Sequence, residues 1–174
     1  MGGVLSLRYP LLYPTSPPRF IISCDAPGMT SLEASIPKWR ARISQFRSEG
    51  VENLAAATTE RWFPAPCTPE VRAEGLDMTR TCTLEGYEIC AGGIMGYDYT
   101  DELRVIDPQR TKVMILVGAN DEAVGPREVL EDVAARIRGS TFVRMEGVGH
   151  LPPVHGRGEF ERVVGEFLGG KEGG

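Results

Sequence analysis

Three short runs along the chain carry the hydrophobic pattern of extended backbone: Phe20-Ile21-Ile22-Ser23-Cys24, Val113-Met114-Ile115-Leu116-Val117 and Thr141-Phe142-Val143-Arg144-Met145. The first two are almost continuously apolar, as parallel strands covered on both faces must be. Between the second and third, Val129, Val133 and Ile137 recur every four residues, Pro126 suits a first helical turn and Gly139 closes the run, which predicts a helix. Beyond the third, Phe160, Val163, Val164, Phe167 and Leu168 share one helical face. Strand–helix–strand–helix order predicts βαβ units in a layered α/β domain with about three parallel strands.

Residues 31–106 follow a different period. Pro37 is expected to open a helix presenting Trp39, Ile43 and Phe46, closed by Gly50, and Val51, Leu54, Ala55, Thr58 and Trp62 continue a second helical face. Thr68-Pro69-Glu70 reads as a helix start, a hydroxyl cap followed by a proline whose missing N–H costs nothing there. Tyr87, Cys90, Ile94 and Tyr97 predict a further helix, weakened by Gly86, Gly92, Gly93 and Gly96. A helical insertion of about 75 residues is too long for a simple crossover and is expected to form a lid over the sheet. The expected organisation is a helix and first strand in 1–30, the lid in 31–106, a C-terminal core in 107–168 and a disordered tail in 169–174.

Composition narrows the functional classes. A chain of 174 residues, 41% hydrophobic and 25% charged, has the make-up of one globular domain and excludes a fibrous or wholly disordered protein. The net charge of −5 divides into +1 over residues 1–80 and −6 over the remainder. Neither part is a nucleic-acid footprint or a match for an anionic membrane. No apolar run approaches the ~20 residues that span a bilayer, and Met1 to Arg8 lack the features of a secretory leader. Cys24, Cys67, Cys82 and Cys90 show neither C-x-x-C nor metal spacing, so reduced thiols in a cytoplasmic protein are expected, with no cofactor and no metal implied.

The candidate chemistry lies after the strands. Gly118-Ala119-Asn120-Asp121 follows the second strand and Glu146-Gly147-Val148-Gly149-His150 the third. Both loops are at the carboxyl edge of a parallel sheet, where ligands bind. Adjacent strands would bring Asp121 and His150 together. A carboxylate accepting the Nδ1–H of a histidine fixes its tautomer and stabilises the imidazolium formed when it takes a proton.

This arrangement, strand, Gly118 to Asp121, Pro126, helix, strand, Gly147-Val148-Gly149-His150, resembles the C-terminal half of an α/β-hydrolase. Trp39-Arg40-Ala41-Arg42-Ile43, Glu60-Arg61-Trp62-Phe63 and Gly86-Tyr87-Glu88-Ile89-Cys90 resemble the cap of 3-oxoadipate enol-lactonases and their relatives. The resemblance implies hydrolysis of a lactone or carboxylic ester by a Ser-His-Asp triad, with His150 and Asp121 in their roles and Trp39, Trp62 and Tyr87 lining a substrate pocket. Its nucleophile sits on a G-x-S-x-G elbow, and no such sequence occurs in the 174 residues. In the family, Met-Gly-Gly often follows the serine directly. Met1-Gly2-Gly3 on this reading begins one residue after the nucleophile, Met1 falls at the oxyanion position, and the chain alone is expected to be inactive.

The sequence also holds other potential nucleophiles and bases. Ser6 falls inside the first helix, Ser23 and Cys24 at the end of the first strand, with Asp25 after them. A strand-end cysteine is usually a small buried hydrophobe. His155, after Pro152-Pro153, reads as a surface-loop residue. Expected partners are a small ester or lactone, no nucleic acid and no membrane. The alternative to an enzyme is a non-catalytic module that pairs with another chain, or with itself, through the open edge of the first strand.

Overall fold

The computed structural model describes residues 1–24, 32–121 and 127–169. Asp25, Pro126 and residues 170–174, on which some of the expectations above fall, lie outside that range. Three strands, β1 (Phe20–Cys24), β2 (Lys112–Gly118) and β3 (Thr141–Met145), form a parallel sheet in the order β1-β2-β3. Ile22 pairs with Met114 across one ladder and Leu116 with Val143 across the other. This is the expected α/β class, and the strands occupy the runs that their apolar pattern marked.

β2 is the centre of the molecule, and its side chains alternate between two apolar clusters. Val113, Ile115 and Val117 pack with Val4 and Leu7 of α1 (Gly2–Leu12) and with Leu130, Val133 and Ile137. The last three come from α5 (Arg127–Arg136) and the residue just beyond it. Met114 and Leu116 pack on the other face with Met145, Val148 and Val163, the last from α7 (Arg157–Gly169). Covering both faces removes β2 from water, which is why its sequence is a run rather than an alternation. Tyr99, Leu103 and Ile106, around a single turn of 3₁₀ helix at Asp101–Val105, belong to the first of these clusters.

Between β1 and β2 lie α2 (Leu32–Trp62), α3 (Pro69–Arg80) and α4 (Leu84–Gly96). Two boundaries differ from expectation. α2 starts by Leu32, with Pro37 inside it. The exposed proline gives up one hydrogen bond near the helix start instead of opening the helix. α4 runs through Gly92 and Gly93 to Gly96, and Tyr97 is the extended residue after its end. The helix interrupts at Gly50, whose φ of 79° belongs to the left-handed region that glycine adopts freely. Thr68 caps α3 as its sequence suggests, the Val71 N–H donating to its hydroxyl. Phe63 is fully buried against Gly75, where a Cβ would come within 2.2 Å of the ring, so α3 can sit that close only with glycine there.

No helix among the described residues is long and apolar enough to cross a membrane. No disulfide joins the four cysteines.

Candidate active site

The loops after β2 and β3 are locked to each other through the backbone. The Ala119 N–H donates to the Met145 carbonyl at 2.8 Å and the Asn120 N–H to the Val148 carbonyl at 2.8 Å. A Cβ at Gly118 would lie 2.1 Å from the Gly149 carbonyl oxygen and 2.6 Å from that of Val148, so the approach requires glycine. Gly147 turns the second loop with a φ of 72°.

This interlock presents Asp121 and His150 to one another, His150 Nδ1 standing 2.8 Å from Asp121 Oδ2. The Asp121 side chain is fully buried and that of His150 is 12% exposed. A carboxylate only accepts, so Nδ1–H donates to it and Nε2 is the nitrogen left to take a proton. Burial of the carboxylate strengthens its hold on the ring. The His150 N–H donates to the Trp62 carbonyl at 2.9 Å, and the Trp62 indole lies over the imidazole with ring centroids 5.3 Å apart. The end of α2 therefore fixes the histidine from one side and Asp121 from the other.

Trp62 and Tyr87 also line a cavity of about 160 Å³ with Thr58, Arg61, Met78 and Cys82. Trp39 is not part of that wall; it reaches it through Tyr87, at 6.3 Å between ring centroids. Arg61 is the residue that sequence reasoning passed over. Its Nη2 donates to Thr58 Oγ1 at 3.2 Å, while its Nε is buried without a hydrogen-bond partner among the described residues. Burial lowers its pKa from the ordinary arginine value, as does neighbouring Arg42, while Tyr87 and Asp121 pull the other way. The signal was its spacing: Leu54, Thr58 and Arg61 share one helical face, and the first two are buried. Burial raises the pKa of the Tyr87 hydroxyl, with Arg42 and Arg61 partly offsetting it.

The remaining candidates lie elsewhere. Met1 caps α1, its carbonyl accepting from the Leu5 N–H at 3.1 Å. Burial lowers the basicity of its α-amino group, with Cys90 opposing. Among the described residues no hydrogen bond or ring contact joins Met1 to His150. The Ser6 and Ser23 hydroxyls both donate to the Gly3 carbonyl, at 2.8 and 3.0 Å. Cys24 packs beside the Met114–Leu116 cluster. His155, expected on a surface loop, instead sits in the short helix α6 (Pro152–His155) with both ring nitrogens in hydrogen bonds. No group of three or more His, Cys, Asp or Glu among the described residues could hold a metal ion.

No family model and no curated protein sequence matches the chain. Solved structures do. A thermophilic esterase from Thermogutta terrifontis is 25% identical with a TM-score of 0.80, the match covering 95% of this chain and 61% of that one. The enol-lactonase from Burkholderia xenovorans LB400 is 21% identical with a TM-score of 0.81, covering 98% of this chain and 63% of the other. An esterase from Exiguobacterium antarcticum is 20% identical with a TM-score of 0.85, covering 98% and 64%. The chain thus spans less than two thirds of the length of each of these proteins. With its parallel sheet and interlocked acid and histidine loops, the chain has the fold of the α/β-hydrolases.

Proposed function

We propose that this chain carries the acid and base of a serine-type hydrolase of carboxylic esters or lactones. The observation that supports it is the 2.8 Å pairing of His150 Nδ1 with the buried carboxylate of Asp121 at the carboxyl ends of adjacent strands. The order acid then histidine along the chain is the α/β-hydrolase order. In the reaction, His150 Nε2 takes the proton of a serine hydroxyl as its oxygen attacks the ester carbonyl. His150 then returns the proton to the leaving alcohol, and the acyl-serine is hydrolysed by water activated in the same way. Asp121 keeps the ring in the required tautomer and stabilises the imidazolium. Backbone N–H groups hold the oxyanion, the Met1 position among them by resemblance.

The serine is not on a G-x-S-x-G sequence within these 174 residues. We take it to come from sequence beyond them or from another polypeptide, so the chain alone lacks a factor on the order of 10⁶ in turnover. The cavity under Trp62 and Tyr87, with Trp39 behind it, accommodates the acyl part of a small or cyclic ester. Arg61 in the cavity wall suits an acyl chain that ends in a negative charge. Similarity to the Burkholderia enol-lactonase supports the lactone reading. We assign the protein to the cytoplasm, since its four thiols are not joined in disulfides.

The second reading, a module that complements another chain or a second copy of itself, is supported by α1 and β1. α1 exposes Leu5, Tyr9 and Leu12 opposite its buried residues, with exposed Tyr13 just after it, and the far edge of β1 pairs with no strand among the described residues.

The test is hydrolysis of p-nitrophenyl acetate and a small enol-lactone, first by the chain alone and then with an added polypeptide supplying the remaining portion of the fold and its serine. Hydrolysis is expected only in the second case and is expected to vanish with His150→Ala. Activity of the chain alone that depends on His150 would sink the external serine and direct attention to Cys24. Reconstituted activity indifferent to His150→Ala would remove His150 from the mechanism. Reconstitution of the fold without any hydrolysis would favour the module.

A further inference from the structure

The loop carrying His150 is held on a side that the acid–base pair does not explain. At Gly149 the backbone passes between two walls: a Cβ there would meet the Trp62 carbonyl oxygen at 2.3 Å, Pro64 Cδ at 2.6 Å and His155 Nδ1 at 3.2 Å. The Gly149 N–H donates to His155 Nδ1 at 2.8 Å, and on the opposite side of the same ring Nε2 lies 2.9 Å from the Pro66 carbonyl oxygen. A carbonyl can only accept and a backbone N–H can only donate, so both ring nitrogens are specified: Nδ1 bare, Nε2 protonated. An imidazolium has no acceptor to offer Gly149. Phe63, fully buried, meets the ring edge-on at 5.7 Å between centroids and sets its plane. The ionisable groups lining the surface depression around the ring are Cys67, Glu146 and Glu159.

These contacts join three segments. His155 ties the backbone just before His150 to the stretch just after α2, and the His150 N–H ties the next residue to Trp62, the last residue of α2. Asn120, next to Asp121, reaches the same stretch through its amide, which donates to the Ala65 carbonyl at 3.3 Å. The ring of His155 therefore stands where an otherwise unpaired backbone donor and acceptor of the site's own loops would face each other across a gap.

We propose that His155 is a positioning residue for His150: as the neutral, Nε2-protonated imidazole it clamps the histidine loop to residues 62–66 and so sets the depth at which His150 meets Asp121. Only the catalytic meaning of this clamp rests on the function proposed above, and its test needs no turnover.

The experiment is imidazole and amide NMR on the whole ¹⁵N-labelled chain, with His155→Phe and His155→Asn. In the unsubstituted chain, His155 is expected with Nδ1 unprotonated and Nε2 protonated. In His155→Phe, which keeps a ring against Phe63 but offers no acceptor, exchange of the Gly149 and His150 amides should rise about tenfold or more, the scale of one buried donor left unpaired. The low-field Nδ1–H signal of His150 should broaden while β2 stays protected. His155→Asn places an oxygen near the Nδ1 position and should restore Gly149 protection. The proposal is overturned by an Nδ1-protonated or doubly protonated His155, by unchanged exchange at Gly149 and His150 in His155→Phe, by a rise spread evenly over β2 as well, or by His155→Asn behaving like His155→Phe. Should His155→Phe not fold, the tautomer and His155→Asn still decide.

Discussion

The sheet and helices α3 and α4 differ in how much apolar side chain they bury. In β2 every residue from Val113 to Gly118 is buried, and its side chains feed two apolar clusters. Each such side chain contributes ~1.5–3 kcal/mol by leaving water. In α3 the buried residues are Gly75 and Thr79, and in α4 Ala91 and Ile94, small groups apart from the isoleucine. What crosses between these helices and α2 at the surface is ionic: Arg80 with Glu52 at 2.9 Å and Arg47 with Glu88 at 2.7 Å, all with substantial exposure. Such exposed pairs add little to stability, because water and salt screen them. The two loops that bring Asp121 and His150 together grow from the rigid side, whereas the cavity with Arg61 and Tyr87 is built by the softer one. The acid–histidine geometry should therefore tolerate changes in α3 and α4 that alter the cavity.

The sharpest way to break this comparison is Leu116→Ala. Leu116 is fully buried on β2, and its truncation should cost about 2–5 kcal/mol in denaturant unfolding. If it costs no more than a surface pair, the two regions do not differ as described. Gly118→Ala comes next. The added methyl meets the Gly149 carbonyl, so about 1–3 kcal/mol of overpacking is expected. Because the strain falls between the two loops, the low-field His150 signal should disappear with it. Thr68→Ala removes the cap of α3 and should lower stability by about 1 kcal/mol. Amide exchange should show that loss in α3 with β2 unaffected; equal loosening of both would mean that the regions unfold as one unit. Arg80→Ala, which breaks the exposed links to Glu52 and Asp77, should shift the unfolding midpoint least of the four, by an amount that shrinks further in high salt.

The rigid side was the more legible from sequence, and for the same reason that it is rigid. A strand buried on both faces must be apolar throughout, so β2 declares itself in Val113 to Val117, and its neighbours follow from parallel pairing. Asp121 and His150 could be paired in advance because strand ends in a parallel sheet share an edge. Features that depend on how elements meet were not legible. Nothing in Pro152-Pro153-Val154-His155 tells that the stretch after α2 will offer the Pro66 carbonyl to the ring. Arg61 was visible as a charge but not as one half-buried in a cavity wall, because its environment is made by α3, α4 and the turn between them. Pro37 misled because a helix start is the commonest place for proline, and here the helix had begun earlier.

The glycine contact between residues 118 and 149 also bears on how sequences of this kind can be recombined. Thirty-one positions apart in the chain, the two loops occupy the same space, with the Gly118 backbone seated under the Gly149 carbonyl. A chimaera whose crossover falls between α5 and β3 takes one loop from each parent, and the join is tolerated only when both parents bring a small residue to each side. A crossover before β2 keeps the two loops together but parts them from Trp62 and Pro66, whereas one after α6 inherits both loops and residues 62–66 from a single parent and is the cut at which homologous sequences can be exchanged without rebuilding the site.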